Sequence, residues 1–147
     1  MTKSATDAPD TAPRRELERF SYNRAMDRTF LLLGAVAGFL GVGLGAFGAH
    51  GLRSRLTPEM LAVFETGVRY HMYHALALVL TSLIVARAGG WLVVAAGWAF
   101  TAGIVLFSGS LYALALTGVT TFGAVTPIGG LAFLAGWACL ALAAAAL

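Results

Sequence analysis

The sequence predicts an all-α integral membrane protein: a bundle of four transmembrane helices, the second of which has an amphipathic N-terminal extension. Three observations lead to this prediction. Charged residues make up only 12% of the 147 residues, against about 25% in soluble domains. Residues 88–147 contain no Asp, Glu, Lys or Arg, and one crossing needs about 20 apolar residues. Six of the ten Lys and Arg residues lie in the first 28 positions, before a long apolar run, as is typical of a cytoplasmic flank.

Residues 1–28 are predicted to form a cytoplasmic tail that changes from disordered to amphipathic. The first part, "MTKSATDAPDTAP", is small, polar and contains proline, a composition that favours disorder. The second part, "RRELERFSYNRAMDR", mixes charges of both signs with Leu17, Phe20 and Tyr22. It fits either a short helix on the membrane surface or a solvated tail.

The transmembrane domain is predicted to cover residues 29–147. Thr57 is a candidate N-cap and Pro58 a candidate first helical residue, so an amphipathic helix should lead directly into the second crossing. Pro127 also suits a first helical turn, and residues 117–125 are therefore expected to form an uncharged loop. The four predicted crossings are residues 30–49, 70–86, 91–116 and 126–147.

Glycines recur along the first crossing with a spacing of four and three residues. This spacing gives a stripe along one side of a helix. In lipid, helices attract each other by close packing because there is little hydrophobic force between them. We therefore expect the glycine stripe to be a helix–helix contact. The glycine stripe consists of Gly34, Gly38, Gly41, Gly45 and Gly48.

The distribution of positive charge predicts the orientation. With four crossings, the tail, the turn at Arg87 and the C-terminus share one side, which has seven Lys and Arg residues. The other side has Arg53, Arg55 and Arg69. Because positive residues are enriched in cytoplasmic loops, both termini are predicted to be cytoplasmic.

The same topology predicts a polar cluster in the outer half of the bundle, where all three histidines are expected. Polar groups at this depth need partners within the protein. We expect His50 to meet the other two histidines. His50 and His74 should both be neutral and hydrogen-bonded, with Ser108, Ser110 or backbone carbonyls as partners. The expected cluster, structural or ligand-binding, is His50, Tyr70, His71, His74, Ser108, Ser110, Tyr112 and Thr126.

Four stretches of the sequence resemble the YgdD family of small bacterial inner-membrane proteins, a domain family of unknown function. They are "GAFGAHGL", "FETGVRYHMYHALAL", "LFSGSLYALAL" and "TPIGGLAFLAGW", and they occur in the family's order between residues 30 and 147. The resemblance implies a four-helix protein of the bacterial inner membrane. The residues on the family's motif positions are His50, Tyr70, His74, Ser108, Gly109, Ser110, Pro127, Gly129 and Gly130.

Several functions remain open from the residues alone. His50 and His74 could ligate a haem or a metal. A small homo-oligomeric transporter is a second alternative, although the crossings lack the acidic residue that proton coupling usually needs. An enzyme would need a nucleophile beside a base, and no acid is available to orient a histidine beside Ser108 or Ser110. The favoured hypothesis is therefore an accessory or scaffold protein, either by itself or as a subunit of a larger membrane complex.

On this hypothesis we expect no catalytic residue, no metal and no cofactor. The expected partners are membrane lipids and either a larger membrane protein complex or further copies of the same chain. Binding to nucleic acid is not expected, because the basic residues lie beside the first crossing rather than along a face of a soluble domain.

Overall fold

The computed structural model describes residues 12–146, with side chains from residue 14 onward, and this part of the chain is helical throughout apart from short turns. Its four long helical segments are long and apolar enough to cross a membrane, which confirms the predicted fold class. Two of these segments include a π-helical stretch: Phe47–Leu52 extends the first, and Ile104–Ser108 interrupts the third. The α-helices are α1 (Ala12–Ala46), α2 (Pro58–Arg87), α3 (Trp91–Gly103), α4 (Gly109–Thr117) and α5 (Thr121–Ala145).

Helix α1 is longer than the crossing predicted within it. It contains 35 residues and is therefore about 52 Å long, whereas the hydrocarbon core of a bilayer is about 30 Å thick. The charged residues 14–28 form the first turns of α1 and not a separate surface helix, so that alternative was wrong. Disorder was predicted for residues 1–13. Of these, residues 1–11 lie outside the described part of the chain.

The predicted start of α2 is confirmed. Pro58 is the first residue of the helix, and the Thr57 hydroxyl accepts a hydrogen bond of 3.3 Å from the backbone N–H of Met60. This bond satisfies one of the N–H groups that a helix start leaves without a partner. The amphipathic segment then continues into the second crossing without a break, up to Arg87.

The predicted start of the fourth crossing was wrong. Helix α5 begins at Thr121, with Pro127 inside it, so the turn after Thr117 covers only residues 118–120. Proline removes one backbone donor and leaves the carbonyl four residues earlier without its usual partner. Transmembrane helices tolerate this where neighbouring groups compensate. The carbonyl affected here is that of Gly123. Next to the proline, Thr126 links α5 to α4, because its hydroxyl lies 2.8 Å from the Ser110 hydroxyl.

The four crossings form an open arrangement in which α1 and α5 are the outer members. Helix α1 packs mainly on α2, and α5 packs mainly on the crossing made of α3 and α4. We compared the most apolar 18-residue stretch of each crossing. In that stretch 44% of the residues are buried in α2 and in the third crossing, against 22% in α1 and 17% in α5. The two outer helices therefore leave most of their apolar surface to lipid or to another protein.

Large aromatic side chains pack onto glycines of neighbouring helices. A Cβ added at Gly97 would overlap the ring of Phe30, one at Gly103 the ring of Phe133, and one at Gly136 the ring of Phe100. The last two contacts run in opposite directions between α3 and α5. Glycine makes room for a ring to approach the facing backbone, so these contacts fix the depth of α5 against α3. The same arrangement holds for Phe64 on Gly48 and Tyr112 on Gly67.

Most of the glycine stripe contacts α2 in this structure. Gly34 is the member that faces the backbone of α2, because an added Cβ would lie 3.0 Å from the Ala75 carbonyl oxygen and 2.8 Å from Val79 Cγ2. Gly41, Gly45 and Gly48 face successive side chains further along α2, namely those of Met72, Val68 and Phe64. Gly38 is the exception, because an added Cβ would meet no atom within 4 Å.

Candidate functional site

His74 of α2 is buried in an aromatic cage between α2, α3 and α5. Its ring stacks on Phe133 with a centroid distance of 3.4 Å and an interplanar angle of 7°. Phe100 and Trp137 complete the cage, with ring centroids 5.6 Å and 6.2 Å from that of the imidazole. Only 4% of His74 is exposed, so its polar atoms need partners inside the protein.

Both ring nitrogens of His74 have a hydrogen-bond partner. Nε2 accepts a hydrogen bond of 3.2 Å from the indole N–H of Trp137, and Nδ1 lies 2.8 Å from the Tyr70 carbonyl oxygen. An indole nitrogen can only donate and a carbonyl can only accept. These contacts assign a neutral ring with its proton on Nδ1. The expected neutral, bonded histidine is therefore present in this geometry, with Trp137 and Tyr70 as partners instead of Ser108 or Ser110.

His71 joins α2 to both neighbouring crossings. Its Nδ1 lies 3.2 Å from the Tyr112 hydroxyl of α4. Its Nε2 is buried without a hydrogen bond of normal geometry, and the Ala37 carbonyl of α1 lies near the ring. If the Tyr112 hydroxyl donates to Nδ1, the remaining proton of a neutral ring is on Nε2, directed toward α1. The two histidines then have opposite tautomers.

The remaining hydroxyls form a separate contact between the third crossing and α5. Ser110 lies 2.8 Å from the Thr126 hydroxyl and also donates to the Phe107 carbonyl at 2.9 Å. Ser108 is fully buried, and its Oγ has no hydrogen-bond partner among the described residues. The structure therefore divides the expected single cluster into three pairs: His74 with Trp137, His71 with Tyr112, and Ser110 with Thr126.

His50 does not join the other histidines, and that expectation was wrong. His50 lies in the π-helical stretch after α1 and is exposed. The contacts of the glycine stripe show its depth, because Gly41 faces His71 whereas Gly48 faces Phe64. His50 is therefore level with the region of Phe64, ten residues before His74 on α2, which corresponds to about 15 Å along the helix axis.

Sequence reasoning missed the aromatic residues that bond and enclose His74. Neither Trp137 nor Phe133 was among the expected partners of His74. Their spacing of four residues places both on one face of α5, and this face meets His74. That periodicity was visible in the sequence, but the helix that it would meet was not.

The arrangement is suited to connecting helices rather than to chemistry. Both nitrogens of His74 are already used, so no lone pair is left for a metal or haem iron. The described residues contain no group of three or more His, Cys, Asp or Glu side chains that could bind a metal ion. The separation of His50 from His74 also rules out ligation of one haem by this pair. The polar side chains instead link α2 to α5, α2 to α4, and α4 to α5.

These features define a class of protein: a small multi-pass membrane protein in which several polar side chains form hydrogen bonds between the crossings. The family described as "Protein of unknown function (DUF423)" matches residues 44–130, a segment that contains all eight residues of the expected polar cluster. The chain belongs to this family.

Curated relatives from bacteria are similar to this chain over most of their length. The UPF0382 membrane protein YwdK of Bacillus subtilis is 49% identical over 118 residues, which cover 80% of this chain and 96% of the relative. The UPF0382 membrane protein SH2409 of Staphylococcus haemolyticus is 47% identical over 113 residues, covering 75% and 89%. No solved structure shows significant similarity. The protein is thus a membrane protein of a family without an assigned biochemical role.

Proposed function

We propose that this protein is a membrane-embedded accessory or scaffold protein without enzymatic activity, working as a homo-oligomer or as a subunit of a larger membrane complex. The main support comes from two uncovered glycines of α1, Gly38 and Gly43. A Cβ added at either position would meet no atom within 4 Å. Glycine destabilises a helix interior by about 1 kcal/mol relative to alanine, and neither glycine makes room for a neighbour within this chain. The two positions lie about 140° apart around the helix, so each offers a separate face of α1 on which a helix of another chain could pack closely.

The pairing of polar side chains supports a role without catalysis. A nucleophile activated by a base requires a hydrogen bond between the two groups. Ser108 and Ser110 have no such bond with His74, whose nitrogens face Trp137 and Tyr70. The exposed faces of α1 and α5 provide the surfaces through which a scaffold would contact its partners.

We also propose that the protein lies in the bacterial inner membrane with both termini in the cytoplasm. The seven-to-three distribution of Lys and Arg supports this orientation. The start of α1, the turn at Arg87 and the end of α5 share one end of the structure, because the four crossings alternate in direction. Membership of the YgdD group within the wider family is part of the same proposal and is supported by the four quoted motifs.

Site-specific photo-crosslinking from α1 tests the scaffold role. A photoreactive phenylalanine analogue is placed at the exposed Val42 in the full chain and irradiated in native membranes. We expect one discrete cross-linked protein species, identified by mass spectrometry. Gly38→Leu should abolish it, because position 38 lies one turn from Val42 on the same face of the helix, and Gly43→Leu tests the other face of α1. Neither variant should lower the unfolding temperature, because both added side chains have open space within the monomer.

Ala102→Leu is the matched control. It adds a side chain of the same size to an exposed position of a different crossing and should leave the cross-linked species unchanged. Adducts with lipid alone in the parent protein would contradict the proposal. So would equal loss of the protein adduct in the control and in the glycine variants.

A further inference from the structure

The N-terminal turns of α1 and the C-terminal end of α2 enclose a cleft of about 470 Å³, here called the inner cleft. Its charged lining residues are Glu16, Arg19, Arg24, Asp27 and Arg87. The two helices are in close contact beside it, since a Cβ added at Gly89 would overlap the Asn23 side chain. The cleft is thus formed by packed elements of the described chain and is absent from either helix alone.

Three arginines of the inner cleft have no ion-pair partner among the described residues. The structure shows an ion pair between Arg14 and Glu18, at 3.3 Å, but none that links Arg19, Arg24 or Arg87 to a carboxylate of residues 14–146. Arg24 lies over the Phe20 ring at 4.8 Å, which helps to fix its position. Three guanidinium groups around one cleft match a phosphate, because arginine donates paired hydrogen bonds to phosphate oxygens.

Asp27 adds a second requirement for the ligand. Its Oδ1 is buried, and no donor from the described residues bonds to it. A buried carboxylate oxygen without a partner is unfavourable, and a bound phosphate alone would repel it. The complementary ligand therefore has a hydrogen-bond donor, preferably positively charged, close to its phosphate.

The position of the cleft relative to the membrane indicates the source of such a ligand. Arg24, Asp27 and Arg28 come directly before the apolar run of α1, and Arg87 directly follows the apolar run of α2. Charged residues at these ends lie at the level of the lipid headgroups. Val85 and Ala86 give the cleft an apolar side next to the hydrocarbon region.

We propose that the inner cleft binds a phospholipid whose headgroup has both a phosphate and a primary amine, as in phosphatidylethanolamine. The arginines face the phosphate, and Asp27 accepts a hydrogen bond from the ammonium group. The quaternary ammonium of phosphatidylcholine has no N–H and cannot satisfy Asp27. Phosphatidylglycerol offers a phosphate and hydroxyl groups but no positive charge.

Native mass spectrometry of the full chain in detergent, with one added lipid at a time, measures this preference. The probes are dioleoyl phosphatidylethanolamine, dioleoyl phosphatidylcholine and dioleoyl phosphatidylglycerol. We expect the ethanolamine lipid to bind at least about fivefold more tightly than the choline lipid, the factor for one charged contact at a membrane surface. Equal binding of the two lipids by the parent protein would overturn the proposal, whatever the variants show.

Variants then separate the two halves of the headgroup. Asp27→Asn should remove the preference for the ethanolamine lipid over the choline lipid. The double variant Arg24→Gln/Arg87→Gln should weaken binding of all three lipids by at least about fivefold. The control is Arg53→Gln/Arg55→Gln, which makes the same change of charge at the opposite end of the bundle. An equal loss of binding in this control would overturn the proposed site.

Soluble phosphoethanolamine distinguishes a lipid from a free compound of the same chemistry. Because Val85 and Ala86 border the cleft, the complete lipid should bind more tightly than the isolated headgroup. Displacement of the lipid by an equal concentration of phosphoethanolamine would overturn the assignment to a membrane lipid. The altered arginines are exposed, and unfolding temperatures without added lipid should match that of the parent.

Discussion

Gly129 and Gly130 are neighbours in α5 with opposite surroundings, and they allow a sharp test of the packing. A Cβ added at Gly129 would lie 2.7 Å from both Cα and Cβ of Phe107, and still closer to its backbone nitrogen. A Cβ added at Gly130 would have its nearest neighbour, Phe107 Cδ2, at 3.8 Å, an ordinary contact distance. The change from glycine to alanine should therefore be damaging at the first position and tolerated at the second.

The difference in stability follows from these distances. Relief of the Gly129→Ala overlap requires a shift of α5 by roughly 0.5–1 Å, because backbone atoms cannot rotate away. Overpacking of this kind costs about 1–3 kcal/mol. Both substitutions gain the same helix propensity, about 1 kcal/mol, so this gain cancels in the comparison. Gly129→Ala should be less stable than Gly130→Ala by about 1–3 kcal/mol.

Thermal unfolding in detergent, followed by tryptophan fluorescence, measures this difference. For a chain of this size, about 2 kcal/mol corresponds to roughly 4–8 °C in unfolding temperature. Each variant adds one methyl group to the same helix. Expression and detergent should therefore affect the two variants equally. Unfolding temperatures of the two variants within about 1 °C of each other would refute the close backbone contact between α5 and the π-helical stretch.

Two further predictions concern the histidine and the orientation. His74→Ala should lower the free energy of unfolding by about 1–3 kcal/mol, because the Trp137 N–H loses its acceptor and lipid offers no replacement. His74→Gln should retain part of this stability, and absorption spectra and metal analysis of the purified protein should show no cofactor lost in either variant. In a Cys139→Ser background, a cysteine at Thr120 should react with an impermeant thiol reagent added outside intact cells and one at Ala88 should not; the reverse pattern would contradict cytoplasmic termini.

The sequence by itself determined the number of crossings and the fold class. An uncharged run of 60 residues cannot remain in water and needs a helix to satisfy its backbone in lipid, and residues 88–147 therefore predict two crossings without any tertiary information. The start of α2 was also visible, because Thr57 and Pro58 act through local hydrogen bonding and a fixed φ angle. Pro127 gave a wrong boundary because a proline inside a membrane helix has the same local sequence signal as one in a first helical turn.

Only the tertiary structure decided which polar groups meet. The sequence placed three histidines near one end of the bundle, but the depth of His50 depends on how α1 is positioned against α2. That position is set by the contacts of Gly34 with Val79 and of Gly48 with Phe64, between residues far apart in the chain. The partner of His74 likewise depends on the packing of aromatic rings on glycines between α3 and α5. Helical periodicity shows which side chains share a face, whereas the close contacts of those faces determine which hydrogen bonds form.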